Sequence, residues 1–481
     1  MQELQQLIKS LSKSEVKFIK HYYRFNIDKK RHFLFNLVLE EKVQTDDEAA
    51  KLIYGTKGAA YSHLKNRLRK DLLNLLLFEE GEKKANSESL IAEINVDRTI
   101  LQSKILISRN VRTMAEKLLQ QAAEQADKFE LLPEKLGATE LLSKSVGLKK
   151  GMDAYSEISA SVDTDIKMLA SIFKARDLHA QIVVPNYYKR NEAKEFVDLA
   201  ASSVEEIKKL YKESGSKVVA YYYYTVAIFY FNMIENFKDL LQNALELLSL
   251  IEANVAINSQ VRLLNANLQV YGALMNLHRY EEALAYAWKA EKFTRAKGPN
   301  ELLVKEYQFL VLSQLNKEAD YLKCLNFALK HNVLKKSKFE EGKWVYYKAI
   351  YLFKHKQFNE ALIELQKENE LLKDKSGWLF GHKLLEIMCY MELEEFDMIE
   401  FRIEALRKLL QRQKDKNITR VKTIFSILST FTKTGASYKK TYLKEKANFE
   451  LLIQQEDAYN WDPLGFEVIR FDAWFLSKFK V

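Results

Sequence analysis

Six aromatic residues, Phe237, Tyr280, Tyr321, Phe358, Phe396 and Tyr438, recur at intervals of 37 to 43 residues, and each marks the second half of an amphipathic pair. A period long enough for two helices and a turn is the signature of a helical solenoid, in which each repeat buries its apolar face against its neighbours. The stretch from Asn265 to Lys297 shows the unit most plainly. Leu268, Val270, Tyr271, Leu274 and Leu277 mark one helix, and Tyr286, Ala287, Ala290 and Phe293 mark another. Their three- and four-residue spacings place them on helix faces. The join, Asn276 to Arg279, is short enough to force an antiparallel hairpin.

Ala283, three residues after Tyr280, is a small residue where the two helices approach. The equivalent positions are Leu240, Cys324, Ala361, Ile399 and Thr441, and nine residues before each aromatic stand Ile228, Tyr271, Leu312, Ala349, Ile387 and Ser429. Only the repeat around Phe358 has alanine at both sites. In this order of parts the stretch from about 216 to 459 resembles a degenerate tetratricopeptide repeat array. The resemblance implies an all-α, right-handed superhelical α-solenoid of antiparallel hairpins, with the first helix of each pair lining a concave groove.

Composition agrees with helix. Four prolines and fourteen glycines in 481 residues are far below ordinary usage, and no segment alternates apolar and polar residues in the manner of a strand. Pro133, Pro185, Pro299 and Pro463 read as helix starts or stops. Charge interrupts every apolar run before the roughly 18 residues of a membrane span. The opening residues lack the basic-then-apolar order of a signal peptide. Cys324 and Cys389 fall in separate repeats and read as buried thiols in a reducing compartment, so the expected location is the cytoplasm.

Residues 1–78 carry 15 Lys and Arg against 9 Asp and Glu, most of the chain's net charge of +10. Ser12 to Glu15 and Thr45 to Glu48 are capping-box patterns. A short helix, a Gly55–Gly58 turn and a basic helix give residues 1–78 the layout of a helix-turn-helix. Lys57, Lys65, Arg67, Arg69 and Lys70 are its candidate nucleic-acid contacts. A polar linker at 79–89, divergent hairpins at 90–215, the repeats at 216–459 and a capping helix at 460–481, begun by Asp462-Pro463, complete the expected organisation.

No catalytic constellation is visible. The eight histidines never stand three or four residues apart, neither cysteine has a second within metal-binding range, and no phosphate-cradling glycine loop occurs. No cofactor and no metal are expected. What remains is surface. Carrying the family's lining positions across, fifteen, twelve, eight and five residues before each marker, the resemblance places Tyr222, Phe229 and Asn232, then Asn265, then Phe309 and Asn316, then Lys343 and Tyr346 along the groove. The family's clamp for a terminal carboxylate is not reproduced, since Val226, Gln269, Leu310 and Tyr347 occupy one of its sites. The expected function is a non-enzymatic scaffold holding a protein or peptide, with the oligomeric state left open. The alternative is a DNA-binding regulator: bacterial regulators that join a helix-turn-helix to such repeats have a similar layout. Glu and Asp of the neighbouring hairpins over Lys57, Lys65 and Arg69 would favour the scaffold.

Overall fold

The computed structural model describes every residue except 26–28, 57, 77–86, 189–193, 335–336, 368–369, 374–376, 412–417 and 480–481. Helix accounts for 82% of the described residues, and no strand occurs among them. The chain divides into two compact units, Met1–Ala170 and Ser171–Val481.

The first unit begins with five helices: α1 (Gln2–Ser10), α2 (Lys13–Phe25), α3 (Lys29–Leu39), α4 (Asp46–Tyr54) and α5 (Ala59–Leu76). Leu4, Ile8, Leu34, Phe35, Leu64, Leu68 and Leu72 form their core. Both capping boxes are present. Ser12 accepts from the Glu15 amide while Glu15 accepts from the Ser12 amide, and Thr45 and Glu48 do the same at α4. Four more helices follow, α6 (Glu88–Ser108), α7 (Arg112–Lys128), α8 (Leu132–Lys150) and α9 (Met152–Ser159), with α7 packed on α6, α8 on α7 and α9 on α8. Of the expected 79–89 linker, 79–86 lies outside the described residues, and Ser87 caps α6 through the Leu90 amide.

Helix α10 (Val162–Tyr188) crosses the boundary at Ala170 and continues through Pro185 within three residues of its end. After α11 (Lys194–Ser214) come the pairs α12 (Lys217–Met233) with α13 (Phe237–Ala253), and α14 (Gln260–Asn276) with α15 (Tyr280–Glu291). They are followed by α16 (Pro299–Gln314) with α17 (Glu318–Leu329), and α18 (Lys338–Lys354) with α19 (Phe358–Leu365). The series ends with α20 (Trp378–Glu392) and α21 (Phe396–Gln411), then α22 (Thr419–Lys433), α23 (Tyr438–Lys444) and α24 (Lys446–Gln454). Consecutive helices pack on one another from α11 through α24. This unit is an all-α solenoid of helix pairs.

Two positions before every second helix the backbone turns left-handed. The residues are Glu235 (φ 54°), His278 (57°), Asn316 (53°), Lys356 (59°), Glu394 (56°) and Ala436 (55°), and the helices open at Phe237, Tyr280, Glu318, Phe358, Phe396 and Tyr438. The second helix of the third repeat therefore starts at Glu318, three residues before the expected marker Tyr321. Tyr321 instead takes the small-residue site of Ala283 and Ala361. It is 1% exposed and meets Phe309 edge-on at 5.7 Å. An aromatic pair stands in this repeat at the two sites where the Phe358 repeat has Ala349 and Ala361.

The end of the chain differs from expectation. Asp462-Pro463 does not start a helix. The Asp462 carboxylate accepts from the Leu464 amide, and its carbonyl from Gly465, a tight turn that uses the same chemistry as a helix cap. The chain then runs without helix to Arg470, and only Phe471–Leu476, α25, is helical.

Candidate functional site

The first helices of the pairs, α14, α16, α18, α20 and α22, share one wall, and the segment from Trp461 to Arg470 lies along it. Leu464 sits against Gly272 of α14, with a methyl 3.8 Å from where a Cβ would be. Gln314 at the end of α16 donates to the Val468 carbonyl at 3.2 Å. The Tyr346 hydroxyl of α18 donates to the Phe466 carbonyl at 2.7 Å. On α20 the Phe466 carbonyl lies 2.4 Å from the position a Cβ on Gly381 would take. No side chain fits there. Glycine inside a helix costs about 1 kcal/mol relative to alanine, and here it is what admits the backbone of the segment.

The segment is fixed at both ends. Trp461 stacks on His278 with ring centroids 6.1 Å apart, and its indole donates to the Glu467 carbonyl. At the other end Arg420 of α22 binds Glu467 through Nε at 2.7 Å and Nη2 at 2.9 Å, and reaches Asp472 at 2.8 Å. Arg470 also pairs with Asp472. Glu467 is 6% exposed, Arg420 7% and Asp472 fully buried, and the half-buried Arg470 completes the charge balance of the two carboxylates. Phe471 and Phe475 are fully buried beyond them, and the Trp474 indole donates to Glu392. The space left between segment and wall, lined by Tyr346, Ile350, Gly381, Leu384, Met388 and Ile469 among others, is about 10 Å³, room for about one water.

The sequence-derived lining residues are dispersed by this arrangement. Tyr346 is on the wall but 3% exposed, because the segment covers it. Phe309 is not on the wall. It is fully buried between Tyr347 and Trp344 at 5.0 and 5.9 Å, because the three-residue register difference turns it into the core. Asn316, moved by the same difference, is the left-handed turn residue. Lys343 is 8% exposed and paired with Glu306 at 2.8 Å and Glu340 at 3.1 Å. Tyr222 and Phe229 are half-buried on α12, Tyr222 with its ring 5.0 Å from His179 of α10. Asn232 and Asn265 are exposed. Sequence reasoning missed Arg420, Gln314, Gly381, Glu467 and Asp472. Gly377 and Gly381, four apart at the start of an apolar helix, were the available signal, since glycine there marks close backbone approach.

The basic face of α5 is partly neutralised. The Lys65 ammonium pairs with Asp46 at 2.9 Å, and the Tyr61 hydroxyl donates to the same carboxylate. Burial pushes the Asp46 carboxyl up, but hydrogen bonds from the Met1 amine, Lys65 and Tyr61 hold it down at about 2. Arg69 reaches Glu3 at 3.4 Å. Arg67 and Lys70 are exposed, and Lys57 lies outside the described residues.

Among the described residues no three His, Cys, Asp or Glu side chains cluster to hold a metal, and no helix is long and apolar enough to cross a membrane. No family model matches the chain, and no curated protein matches it. Among solved structures, the chain is similar to a signal transduction ATPase with numerous domains that has a tetratricopeptide repeat sensor, from Pyrococcus horikoshii. Identity is 13% and the TM-score 0.32, over 93% of this chain and 64% of that one. The chain thus spans less than two thirds of the length of that protein.

Proposed function

We propose that the protein is a non-enzymatic interaction module that holds an extended stretch of a partner polypeptide along its wall of first helices. The observation that carries this reading is that the wall already holds such a stretch, taken from the chain itself. Gln314 and Tyr346 bind backbone carbonyls, contacts that any extended peptide offers, while Arg420 and the surrounding apolar side chains select particular residues. The exposed Asn232 and Asn265, with the half-buried Tyr222 and Phe229, extend the same set of positions towards α12. A protein-sensing role and a scaffolding role both follow from this chemistry. The reading places the protein in the cytoplasm, with a protein or peptide as its partner.

The DNA-binding alternative gains nothing from the geometry, since Asp46 and Glu3 answer Lys65 and Arg69. The test of the preferred reading is a photo-crosslinking residue placed at Asn232 or at Asn265 in the full chain, exposed to extract of the source cells. Polypeptide adducts from these sites, with none from Lys289 on the exposed side of α15, are expected. Equal yields from Lys289 would remove the wall as the site.

A further inference from the structure

The way the wall grips its own segment specifies a ligand. We infer that the partner carries the same pattern as the segment, an extended stretch that reaches a carboxylate and leads into a short helix with aromatic rings four and eight residues after that carboxylate, and that it enters by exchange with Trp461–Phe479. This rests on the reading of the wall as a polypeptide-binding surface and names the chemistry it selects.

Three features lead there. First, Glu467 receives two hydrogen bonds from Arg420 and a third from the Phe471 amide at 2.8 Å, so one carboxylate sets the register of everything after it. Phe475 then enters a nest of rings made by Phe431, Tyr438 and Phe449, and Phe471 packs on Phe475 and Trp474. Second, a buried ion pair adds less stability than apolar side chains of the same volume would, and its best-attested use is to specify arrangement. A segment retained only as core would be served by leucines, whereas one that must be recognised needs Arg420 and an acid. Third, the segment is joined to the helix pairs by one short connection. Helix α24 ends at Gln454, Gln455 is left-handed with φ 56°, and a 3-10 turn over Asp457–Tyr459 leads to Trp461.

The test uses the full chain and a fluorescein-labelled peptide with the sequence of Asn460–Phe479. Glu467→Lys sets a second cation against Arg420, which expels the segment and leaves the wall intact. The variant is expected to bind the peptide at least tenfold more tightly than the wild-type chain. A peptide carrying Glu467→Lys should bind at least tenfold more weakly than the unchanged one. A folded variant that binds both peptides alike, or neither, overturns the proposal. Should Glu467→Lys not fold, Gly381→Ala decides. Alanine suits a helix interior better than glycine, and the nearest atoms its Cβ meets are the Phe466 carbonyl and the Tyr346 hydroxyl. Hydrogen exchange that speeds up in residues 461–470 while α18 and α20 stay protected supports exchange of the segment. Loss of protection in all three together shows the segment to be inseparable core and overturns it. Crosslinking from Asn265 reports separately whether a native partner touches the wall, whatever its sequence.

Discussion

At single residues, burial rather than residue type decides which changes matter. Tyr321, 1% exposed, packs against Phe309 and Tyr351, so Tyr321→Ala should cost about 3–5 kcal/mol. Phe396, at the aligned start of another repeat, is 53% exposed, and Phe396→Ala should change stability by less than about 0.5 kcal/mol. Chemical denaturation of the two variants checks both. His382 gives a pH dependence. It is 2% exposed, and its Nε2 lies 2.7 Å from the Leu365 carbonyl. Burial, with Lys383 and Arg402 nearby, pushes its pKa down to about 4 from 6.5. Between those values the unfolded chain binds the proton and the folded one does not, so stability is complete above 6.5 and is lost as pH falls to about 4. The loss should be roughly 3 kcal/mol, and His382→Leu should flatten denaturation midpoints across that window. None of this was legible beforehand, because one histidine in an apolar helix reads the same whether buried or half-exposed.

At the scale of helices and turns, much of the second unit was legible. The aromatic markers coincide with the first residue of the second helix in five repeats of six. Both capping boxes form because a hydroxyl and a carboxylate three residues apart can satisfy each other's backbone amides. The third repeat went astray for a physical reason. Its helix opens on Glu318, so the nearest aromatic, Tyr321, drew the register three residues too far and carried Phe309 and Asn316 with it. The left-handed turn residue is the truer marker, but only Asn316 and His278 are of types enriched at positive φ, and the Glu, Lys and Ala at the other four positions do not announce it. Lys356 is exposed with φ 59°. A β-branched side chain is disfavoured there, so Lys356→Val should cost about 1–3 kcal/mol without removing any packing, measurable as a lower melting temperature. The final segment was read as a helix because Asp-Pro begins helices and turns alike. Gly465 two residues later, with the hydrogen bonds of the Asp462 turn, settled it as a turn.

For the molecule as a whole, Lys65 and Arg69 of the basic first 78 residues are already paired with Asp46 and Glu3, and no strong nucleic-acid complex is expected. Duplex DNA binding, if any, should stay weaker than micromolar near physiological salt and weaken by about 0.9 log units per log unit of salt for each phosphate touched. A tighter complex abolished by Lys65→Glu and Arg69→Glu would reverse the ranking of functions. The Asp46 cluster also gives the first unit an acid sensitivity of its own. The Asp46 carboxyl is held at about 2 against an ordinary 3.8, so the stability it contributes is complete above 3.8 and is lost as pH falls towards 2. Asp46→Asn should remove that dependence in circular dichroism titrations.

The segment along the wall has a consequence for how the chain comes to be folded. Repeat arrays ordinarily fold by contacts between neighbours and can grow from either end. Here Leu464 closes on Gly272, and Asn460 binds Glu235 across 225 residues of sequence. On a ribosome making about 5–20 residues per second, the wall at Gly272 would wait on the order of 10 to 40 seconds for Leu464. Throughout that interval the nascent chain displays an uncovered apolar trough, so its vulnerability to premature association lies in the timing of synthesis as well as in its final stability.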